Sequence, residues 1–162
     1  MILIGLGSSL PFSGLDSQDV VIKAAQAIGQ LGRNLQLSSL YHSPAWPDPS
    51  DPPFVNAVAR FETAMVPEAL LAALHSIEAG FGRRRGVLNG PRTLDLDLLA
   101  YDDERRSDGG TGLVLPHPRM ASRDFVLVPL CEIAPDWRDP VSGQTAKMLL
   151  EAIETGEIRR IS

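Results

Sequence analysis

The amino-acid sequence predicts an α+β fold that forms one domain over residues 1–162. Four segments have the apolar pattern of β-strands, and two longer segments have the apolar period of amphipathic helices. They follow one another in the order strand, helix, strand, strand, helix, strand, which is the βαββαβ order of a ferredoxin-like sandwich. We therefore expect an antiparallel sheet covered by helices on one face, with additional C-terminal strands and a helix. The opposite face of the sheet is then free for a ligand.

The limits of these segments come from turn and capping residues. The N-cap of the first helix is Asp16 or Ser17, and Gly32 ends that helix. Residues 44–53 are rich in proline and predict a loop, because proline has no backbone N–H and a fixed φ. In chain order, we expect strands or helices at residues 1–7, 15–32, 34–43, 54–63 and 66–82 and around Asp95, then a short strand and a helix within 113–137 and a final helix at 145–156.

Composition and charge exclude several classes of protein. The chain is 44% hydrophobic and 22% charged, as soluble globular proteins are, and its net charge of -5 argues against a nucleic-acid partner. No apolar run approaches the ~18 residues needed to span a bilayer, and the apolar start has no basic segment before it. We therefore expect a cytoplasmic protein without a membrane partner. The lone Cys131 excludes an intramolecular disulfide and has the apolar surroundings of a buried side chain.

Two aspartates lie within an apolar strand segment. Asp95 and Asp97 alternate with leucines, so the period of two of a β-strand places both carboxylates on the side opposite the leucines. On its own, such a pair is most simply a solvent-facing acidic surface. Mg²⁺, however, typically binds one or two carboxylates together with substrate phosphates, and two carboxylates can hold one ion or bridge two.

A basic loop that contains glycines precedes this strand. Arg83, Arg84, Arg85 and Arg92 lie within ten residues of one another. A run of like charges is commonly only solvated surface. Arginine side chains nevertheless bind phosphate oxygens in a bidentate manner, and glycines would let the loop close over a ligand. Together with the aspartates, the loop predicts a bound polyphosphate and a metal ion.

A third cluster of polar side chains lies in the segment LPHPRMASRDF. It contains His117, Arg119 and Arg123 beside prolines that stiffen the backbone. A single histidine is more commonly a structural hydrogen-bonding residue, but the two arginines favour contact with phosphate. Phe125 is either a core residue or one aromatic wall of a pocket.

The segment PFVNA combines an aromatic and an amide side chain. Phe54 is most simply a core residue at the end of a strand, whereas Asn56 needs hydrogen-bond partners if it is buried. An amide pairs well with the donor and acceptor edge of a flat heterocycle, and a phenyl ring stacks on its face.

Five motifs carry a family resemblance, in chain order IGLGSSL, FVNAV, IEAGFGR, GPRTLDLDLL and LPHPRMASRDFVLVPLCEIAP. Together they closely resemble the 6-hydroxymethyl-7,8-dihydropterin pyrophosphokinase family of folate biosynthesis, from residue 2 to about residue 140. The resemblance implies a ferredoxin-like α+β fold, ATP as co-substrate and two Mg²⁺ ions. It implies transfer of the pyrophosphoryl group of ATP to the hydroxymethyl oxygen of the pterin, with release of AMP, by a protein that is usually a monomer.

The resemblance also implies roles for individual residues. Asp95 and Asp97 resemble the ligands of both magnesium ions and act in catalysis together with Arg83 and Arg92. The nucleotide and its phosphates would contact Glu78, Arg83, Arg85, Arg92, His117 and Arg123, with Arg84 as an alternative to Arg85. The pterin would lie between Phe54 and Phe125, with Asn56 at its polar edge and main-chain groups of Ser43 and Ala45 beside it.

Two other functions remain open from the sequence. A non-catalytic pterin- or nucleotide-binding homologue is suggested by Gly112, which stands where some family members have an arginine, and by an arginine loop that is one residue shorter. Another enzyme with two aspartates on a ferredoxin-like sheet, such as a nucleotidyl cyclase, would also use Asp95 and Asp97. The nucleotide product distinguishes these possibilities, since an ordinary kinase yields ADP and pyrophosphoryl transfer yields AMP.

Overall fold

The computed structural model describes residues 1–45, 48–83, 92–107, 109–110 and 112–161. Within these ranges the chain has a mixed α/β fold with one six-stranded antiparallel sheet and four α-helices. The strands are β1 (Ile2–Ser8), β2 (Arg33–Leu37), β3 (Tyr41–Ser43), β4 (Phe54–Glu62), β5 (Asp95–Tyr101) and β6 (Arg159–Arg160), and the helices are α1 (Ser17–Gly29), α2 (Pro67–Gly80), α3 (Asp124–Ile133) and α4 (Ala146–Glu151). None of these helices is long and apolar enough to cross a membrane.

β1 is an interior strand of the sheet. It pairs in the antiparallel sense with β4 on one side and with β5 on the other. The sheet continues beyond β4 in the order β5-β1-β4-β3-β6, while β2 pairs with another part of β4. Both edges of β1 are therefore hydrogen-bonded to neighbouring strands, and its side chains alternate between the two faces of the sheet.

The first face of the sheet packs on α1 and α2. Ile2, Ile4 and Leu6 of β1 point to this face and join a buried cluster with alternate residues of β4 and β5. The predicted cap of α1 is confirmed, because the Asp16 side chain accepts a hydrogen bond from the Asp19 backbone N–H at 2.9 Å. The helices contribute Val20, Val21, Ala24, Ala25, Ile28, Leu70 and Leu74 to the cluster.

The second face is only partly open, so the expectation of a helix-free face is wrong for part of the sheet. α3 covers Leu3, Val58 and Leu99 in a second buried cluster to which α4 also contributes. α3 is apolar over most of its length and must bury that surface, and this part of the sheet is the apolar surface that it covers. The open part of the face lies where β1 carries Gly5 and Gly7.

The segment 34–43 forms two strands where the sequence predicted one. β2 and β3 pair with different parts of β4, and Ser38 lies at the interruption between them. The Ser38 hydroxyl accepts a hydrogen bond from the Val58 backbone N–H at 3.0 Å and donates one to the Ser39 carbonyl at 2.8 Å. These bonds satisfy backbone groups that an unbroken strand would have paired differently.

Helix ends and the predicted C-terminal strands also differ from expectation. α1 ends at Gly29 rather than Gly32, and the final helix is shorter than the predicted 145–156. Gly32 is required for another reason, since a Cβ there would lie 1.9 Å from the Glu62 carbonyl oxygen. In the described part of the chain, the strand expected near residue 113 is a single bridge at Leu115, and β6 is a two-residue strand.

A hydrogen-bonded link joins β3 to α3. Tyr41 is buried, and its hydroxyl donates to Glu132 Oε1 at 2.7 Å. The other carboxylate oxygen, Oε2, accepts hydrogen bonds from the Ser39 backbone N–H at 2.8 Å and the Ser39 hydroxyl at 3.2 Å. Burial, followed by the hydrogen bond and the negative charge of Glu132, raises the pKa of Tyr41 to about 12. Tyr41 therefore stays a neutral donor throughout the ordinary pH range.

Replacing Tyr41 with phenylalanine removes this link, and we expect the free energy of unfolding to fall by about 1.5 kcal/mol at neutral pH. The folded pKa of about 12 exceeds the ordinary value of 10.0, so the stability that the tyrosine hydroxyl contributes is complete below pH 10 and is lost as pH rises through 12. The difference between wild type and variant should therefore narrow over that range. Denaturant titrations at pH 7 and across this range measure it, and a constant difference would contradict the assignment.

Candidate active site

The open part of the second sheet face has a floor of main chain. In the register of β1 with β5, Gly5 lies opposite Asp97 and Gly7 lies opposite Asp95. On its other side, Gly7 lies opposite Asn56 of β4. A Cβ at position 7 would lie 3.4 Å from Asn56 Oδ1. The glycines therefore keep a channel open between the carboxylates on β5 and the amide on β4.

Both carboxylate oxygens of Asp95 contact arginines. Arg83 Nη1 donates to Asp95 Oδ1 at 2.7 Å, and Arg92 Nη1 lies 3.3 Å from Asp95 Oδ2. Burial disfavours the charged guanidinium, but the negative charges of Asp95 and Glu78 outweigh burial and raise the pKa of Arg83. The structure thus brings together two of the predicted phosphate-binding arginines and one of the predicted metal ligands.

Glu78 lies beneath this ion pair and is 2% exposed. Its Oε2 accepts a hydrogen bond from the Leu96 backbone N–H of β5 at 2.9 Å and another from Arg83 Nη1. A buried carboxylate in contact with both groups attaches the end of α2 to β5 and holds Arg83 against Asp95. Glu78 also lines the hollow beside Asp97, so it is part of the site and not a surface charge of the helix.

Arg92 is held in place through its main chain. The backbone N–H groups of Ser9 and Leu10 donate to the Arg92 carbonyl at 2.9 Å and 3.0 Å, and the Arg92 N–H donates to Ser9 Oγ at 2.9 Å. Ser9 directly follows β1, so the segment that enters β5 is tied to the end of the central strand. The Arg92 guanidinium is thereby kept at the edge of the glycine floor.

Asp97 has a different electrostatic environment from Asp95. Burial, followed by the negative charge of Asp95, raises the pKa of Asp97 to about 7. Arg123 Nη1 and His117 Nε2 both lie 4.0 Å from the Asp97 carboxylate, which is too far for hydrogen bonds. Among the described residues, no cation lies as close to Asp97 as Arg83 lies to Asp95. Asp97 is therefore the carboxylate that another cation would stabilise most.

His117 is a neutral side chain in this site. Burial, followed by the charges of Arg123 and Arg119, lowers the pKa of His117 to about 4. Its Nδ1 accepts a hydrogen bond from the Arg119 backbone N–H at 3.1 Å, so the ring proton lies on Nε2, the atom that faces Asp97. The His117 backbone N–H donates to the Leu99 carbonyl at 2.8 Å, where the register of β5 with β1 shifts. This bulge in β5 therefore positions His117.

A cavity of 520 Å³ lies at the other end of the floor. Phe54 and Phe125, which the sequence predicted as two aromatic walls, line it together with Asn56. Asp95 also lines this cavity, so the aromatic end is continuous with the carboxylate end. Arg123 Cζ lies 5.4 Å from the centroid of the Phe125 ring, within the range of a cation–π contact.

The turn after β3 contributes to the same cavity. Ser43 and Pro44 line it, whereas Ala45 is buried and is not among the described residues in the lining. Ser43 therefore lies beside the cavity, and its predicted main-chain contact with a ligand stays a prediction. The predicted main-chain contact of Ala45 with a ligand stays a prediction.

The structure also shows a hollow that sequence reasoning missed. A second cavity of 360 Å³ adjoins Asp97 and His117 and is lined by Leu71, His75 and Leu113. A hollow with both apolar and polar lining, beside side chains predicted to contact phosphate, has the mixed character of a ligand site. His75 lies on the same helix face as Glu78, three residues earlier, which is the one signal in the sequence that could have indicated it.

Some predicted contacts lie outside the described residues. Arg84 and Arg85 fall in the range 84–91, and their roles stay predictions. Within the described ranges, no group of three or more His, Cys, Asp or Glu residues is arranged to hold a metal ion. Asp95 and Asp97 remain the candidate ligands, and two carboxylates suffice for Mg²⁺ when substrate phosphates complete its coordination.

Comparisons with known proteins indicate one family. The family model described as 7,8-dihydro-6-hydroxymethylpterin-pyrophosphokinase (HPPK) matches residues 3–135. A 2-amino-4-hydroxy-6-hydroxymethyldihydropteridine pyrophosphokinase of Synechocystis is 46% identical over 117 residues, which cover 72% of this chain and 58% of that protein. A protein of the same name from Methylorubrum extorquens is 37% identical over 158 residues, or 98% of this chain and 96% of that protein.

The structural comparison shows the same fold in a larger protein. The crystal structure of Plasmodium falciparum HPPK-DHPS with pteroate superposes with a TM-score of 0.69 at 12% sequence identity. The superposition covers 93% of this chain and 42% of the P. falciparum chain. This chain therefore spans less than half of that protein and 58% of the Synechocystis relative.

Replacing Glu78 with alanine should lower the free energy of unfolding by about 3 kcal/mol, because it breaks a buried ion pair and leaves the Leu96 N–H without this acceptor. Glu78→Gln keeps an acceptor oxygen and should lower the free energy of unfolding by a smaller amount. Glu68→Ala, on the same helix, removes an exposed ion pair with Arg106 and should cost below about 1 kcal/mol. Urea denaturation of the three variants gives the order, and equal losses for Glu78→Ala and Glu68→Ala would contradict the buried role.

Proposed function

The chain belongs to the 7,8-dihydro-6-hydroxymethylpterin-pyrophosphokinase family, and we propose that it transfers the pyrophosphoryl group of ATP to the hydroxymethyl oxygen of 6-hydroxymethyl-7,8-dihydropterin, with release of AMP. This is the reaction predicted from the sequence, and its acceptor is the one in the names of the quoted relatives. The observation that carries it is a single sheet face with arginines and carboxylates at one end and a cavity lined by an amide and two phenyl rings at the other.

The pterin would occupy the cavity at the aromatic end. Phe54 and Phe125 would lie against the two faces of the ring, and Asn56 would contact its polar edge. Main-chain groups of Ser43 and Ala45 would complete the pocket. The glycine floor supports this placement, because a flat ring can lie across β1 without meeting a side chain at position 7.

ATP would occupy the carboxylate end. Its phosphates would contact Arg83, Arg92 and Arg123, with Arg85 or Arg84 added from the loop. His117, neutral and with its proton on Nε2, would donate a hydrogen bond to a phosphate oxygen. The purine ring fits the hollow lined by Leu71, His75 and Leu113, and Glu78 would hold Arg83 in position from behind.

The donor set at this end suits Mg²⁺. Asp95 and Asp97 lie on one face of β5, and their oxygens are the hard ligands that Mg²⁺ prefers. Asp95 and Asp97 would hold two Mg²⁺ ions, which would neutralise phosphate charge and lower the pKa of the attacking hydroxyl. The raised pKa of Asp97 supports this assignment, because burial and the charge of Asp95 disfavour the ionised carboxylate and a bound cation would offset both effects.

The contribution of the protein itself is positioning and charge neutralisation. The walls of the cavity would orient the pterin hydroxymethyl oxygen for in-line attack on the β-phosphorus, and AMP would leave on the opposite side. Arg83 and Arg92 would stabilise charge on the phosphate oxygens, and Phe54 and Phe125 would exclude water from the attacking oxygen. No covalent intermediate with a side chain is required.

The finer structural predictions belong to this proposal as well. We propose a ferredoxin-like sandwich, in one domain over residues 1–162, and the neighbouring order β5-β1-β4-β2 with antiparallel pairing supports it. We also propose that the protein acts in the cytoplasm, which its composition supports, and as a monomer, which the family resemblance implies.

A non-catalytic pterin- or nucleotide-binding homologue has less support. The sequence features that suggest it are Gly112 and the shorter arginine loop, whereas the relatives from Synechocystis and Methylorubrum extorquens are named as pyrophosphokinases. Asp95, Asp97 and His117 also converge at one end of the site, as catalysis requires. A nucleotidyl cyclase would not need the amide and aromatic walls at the other end of the floor.

The nucleotide product tests the reaction directly. Purified protein with ATP, Mg²⁺ and 6-hydroxymethyl-7,8-dihydropterin should form AMP in proportion to the pyrophosphorylated pterin, without ADP. The same mixture without the pterin is the control and should form neither nucleotide. Formation of ADP, or of AMP that does not depend on the pterin, would exclude pyrophosphoryl transfer to this acceptor.

Replacing Asp97 with asparagine should reduce turnover at least ~10²-fold, because several kcal/mol of charge stabilisation depend on this carboxylate. The same change should not destabilise the ligand-free protein at pH 8. The folded pKa of Asp97, about 7, lies above the ordinary 3.8, so the stability linked to its protonation is complete below pH 3.8 and is lost as pH rises through 7.

The uncharged amide of Asp97→Asn avoids that loss. In thermal unfolding, the melting temperature of the variant relative to that of wild type should therefore be higher at pH 8 than at pH 5.5. Asp103→Asn, an exposed aspartate in the turn after β5, is the matched control and should alter neither property. Normal turnover by Asp97→Asn would remove Asp97 from the set of metal ligands.

A further inference from the structure

The amide of Asn56 makes one side-chain hydrogen bond in the described part of the chain. Its Nδ2 donates to Ser43 Oγ at 2.5 Å, and the two residues are 5% and 7% exposed. Ser43 lies at the end of β3, which pairs with the strand that carries Asn56. The hydroxyl therefore lies on a rigid element and fixes one end of the amide.

The other end of the amide faces the cavity. Asn56 Oδ1 is the atom that a Cβ at Gly7 would approach to 3.4 Å, and both residues line the floor of the site. No hydrogen bond reaches Oδ1 from the described residues. Because Asn56 Oδ1 is not among the buried side-chain atoms that lack a partner in the described residues, this oxygen is accessible from the cavity and is available for a donor supplied by a ligand.

The order of the strands indicates which end of a ligand meets this oxygen. Asp95, Gly7 and Asn56 lie side by side on three adjacent strands, so their main chains span about 10 Å at ~4.8 Å per strand. On the proposed function, the hydroxymethyl group must lie at the Asp95 end, beside the phosphates. The pyrimidine end of the pterin, with its 2-amino group and N3–H, then lies at Asn56.

From these contacts we infer that Ser43 is a positioning residue for substrate specificity. Its hydroxyl holds the Asn56 amide with Nδ2 turned away and Oδ1 turned toward the cavity, so the site accepts a ring edge that donates a hydrogen bond. With the 2-amino group as the donor to Oδ1, a ring edge that has a carbonyl in its place meets Oδ1 oxygen to oxygen and binds more weakly, although it keeps N3–H. This inference rests on the proposed function and adds the atom-level basis of its selectivity.

The test compares two fluorescent ligands, 6-hydroxymethylpterin and 6-hydroxymethyllumazine, in which a 2-oxo group replaces the 2-amino group. Both are titrated against protein saturated with Mg²⁺ and a non-hydrolysable ATP analogue. Wild type should bind the pterin at least about tenfold more tightly than the lumazine, as one hydrogen-bond reversal predicts. Ser43→Ala frees the amide to rotate, and the preference should fall by about tenfold.

Three further variants separate positioning from general destabilisation. Ser43→Thr keeps the hydroxyl and should restore the preference, whereas Ser43→Cys keeps the volume but has only a weak acceptor and should lose it. Ser38→Ala is the matched control, since Ser38 is a buried serine with hydrogen bonds on the same sheet but away from the cavity. It should lower stability and leave the preference unchanged. With 6-hydroxymethyl-7,8-dihydropterin as substrate, Ser43→Ala should raise KM about tenfold and leave kcat nearly constant.

An unchanged preference in both Ser43→Ala and Ser43→Cys would overturn the inference while leaving the proposed function intact. Equal loss of preference in Ser38→Ala would also overturn it, because the effect would then follow stability. If wild type binds neither ligand, the proposed function fails, and the role of Ser43 fails with it.

Discussion

The register of β1 between β4 and β5 is the constraint on which the rest of the structure depends. Side chains alternate along a strand, so the register that buries Ile4 and Leu6 against α1 and α2 also turns Gly5 and Gly7 to the opposite face. The same register sets the glycines beside the carboxylates of β5. A shift by one residue would bring glycines into the core and large apolar side chains into the site. Burial of apolar surface, at roughly 25 cal/mol per Å², therefore also protects the geometry of the site.

The two carboxylates of β5 are unequal before any ligand binds. Asp95 contacts two arginines, one of which is held from behind by the buried Glu78. Burial of Asp97, followed by the negative charge of Asp95, raises the pKa of Asp97, and the nearest cationic side chain of the described residues, Arg123, lies at 4.0 Å. The like charges that the sequence places two residues apart are thus accommodated in two ways, one by ion pairing and one by partial protonation. Arg83 and Arg92 are already at the position where phosphate charge would arrive.

Periodicity and capping residues predicted what local chemistry determines, namely β4, the cap of α1 at Asp16 and the shared face of Asp95 and Asp97. They could not predict the contacts that long-range packing determines. A pattern of apolar residues shows that α3 must be buried but not which part of the sheet it covers, so the second face was expected to be more open than it is. Periodicity shows Glu78 only as an acidic residue near the end of an amphipathic helix, whereas its burial and its contacts with Leu96 and Arg83 show that it lies in the interior.

The glycine floor limits how a site of this construction can vary. Beneath the cavity, β1 presents peptide groups and hydrogen atoms, so any substitution at positions 5 or 7 can only add volume. A side chain at either position would therefore occupy space that, on the proposed function, a ligand would use. Adjustment of ligand preference is left to the walls, where Phe54, Asn56 and Phe125 can each be exchanged for a residue of similar size. The main chain of β1 would therefore limit the space for a ligand, while the side chains of the walls would determine which chemical groups it can carry.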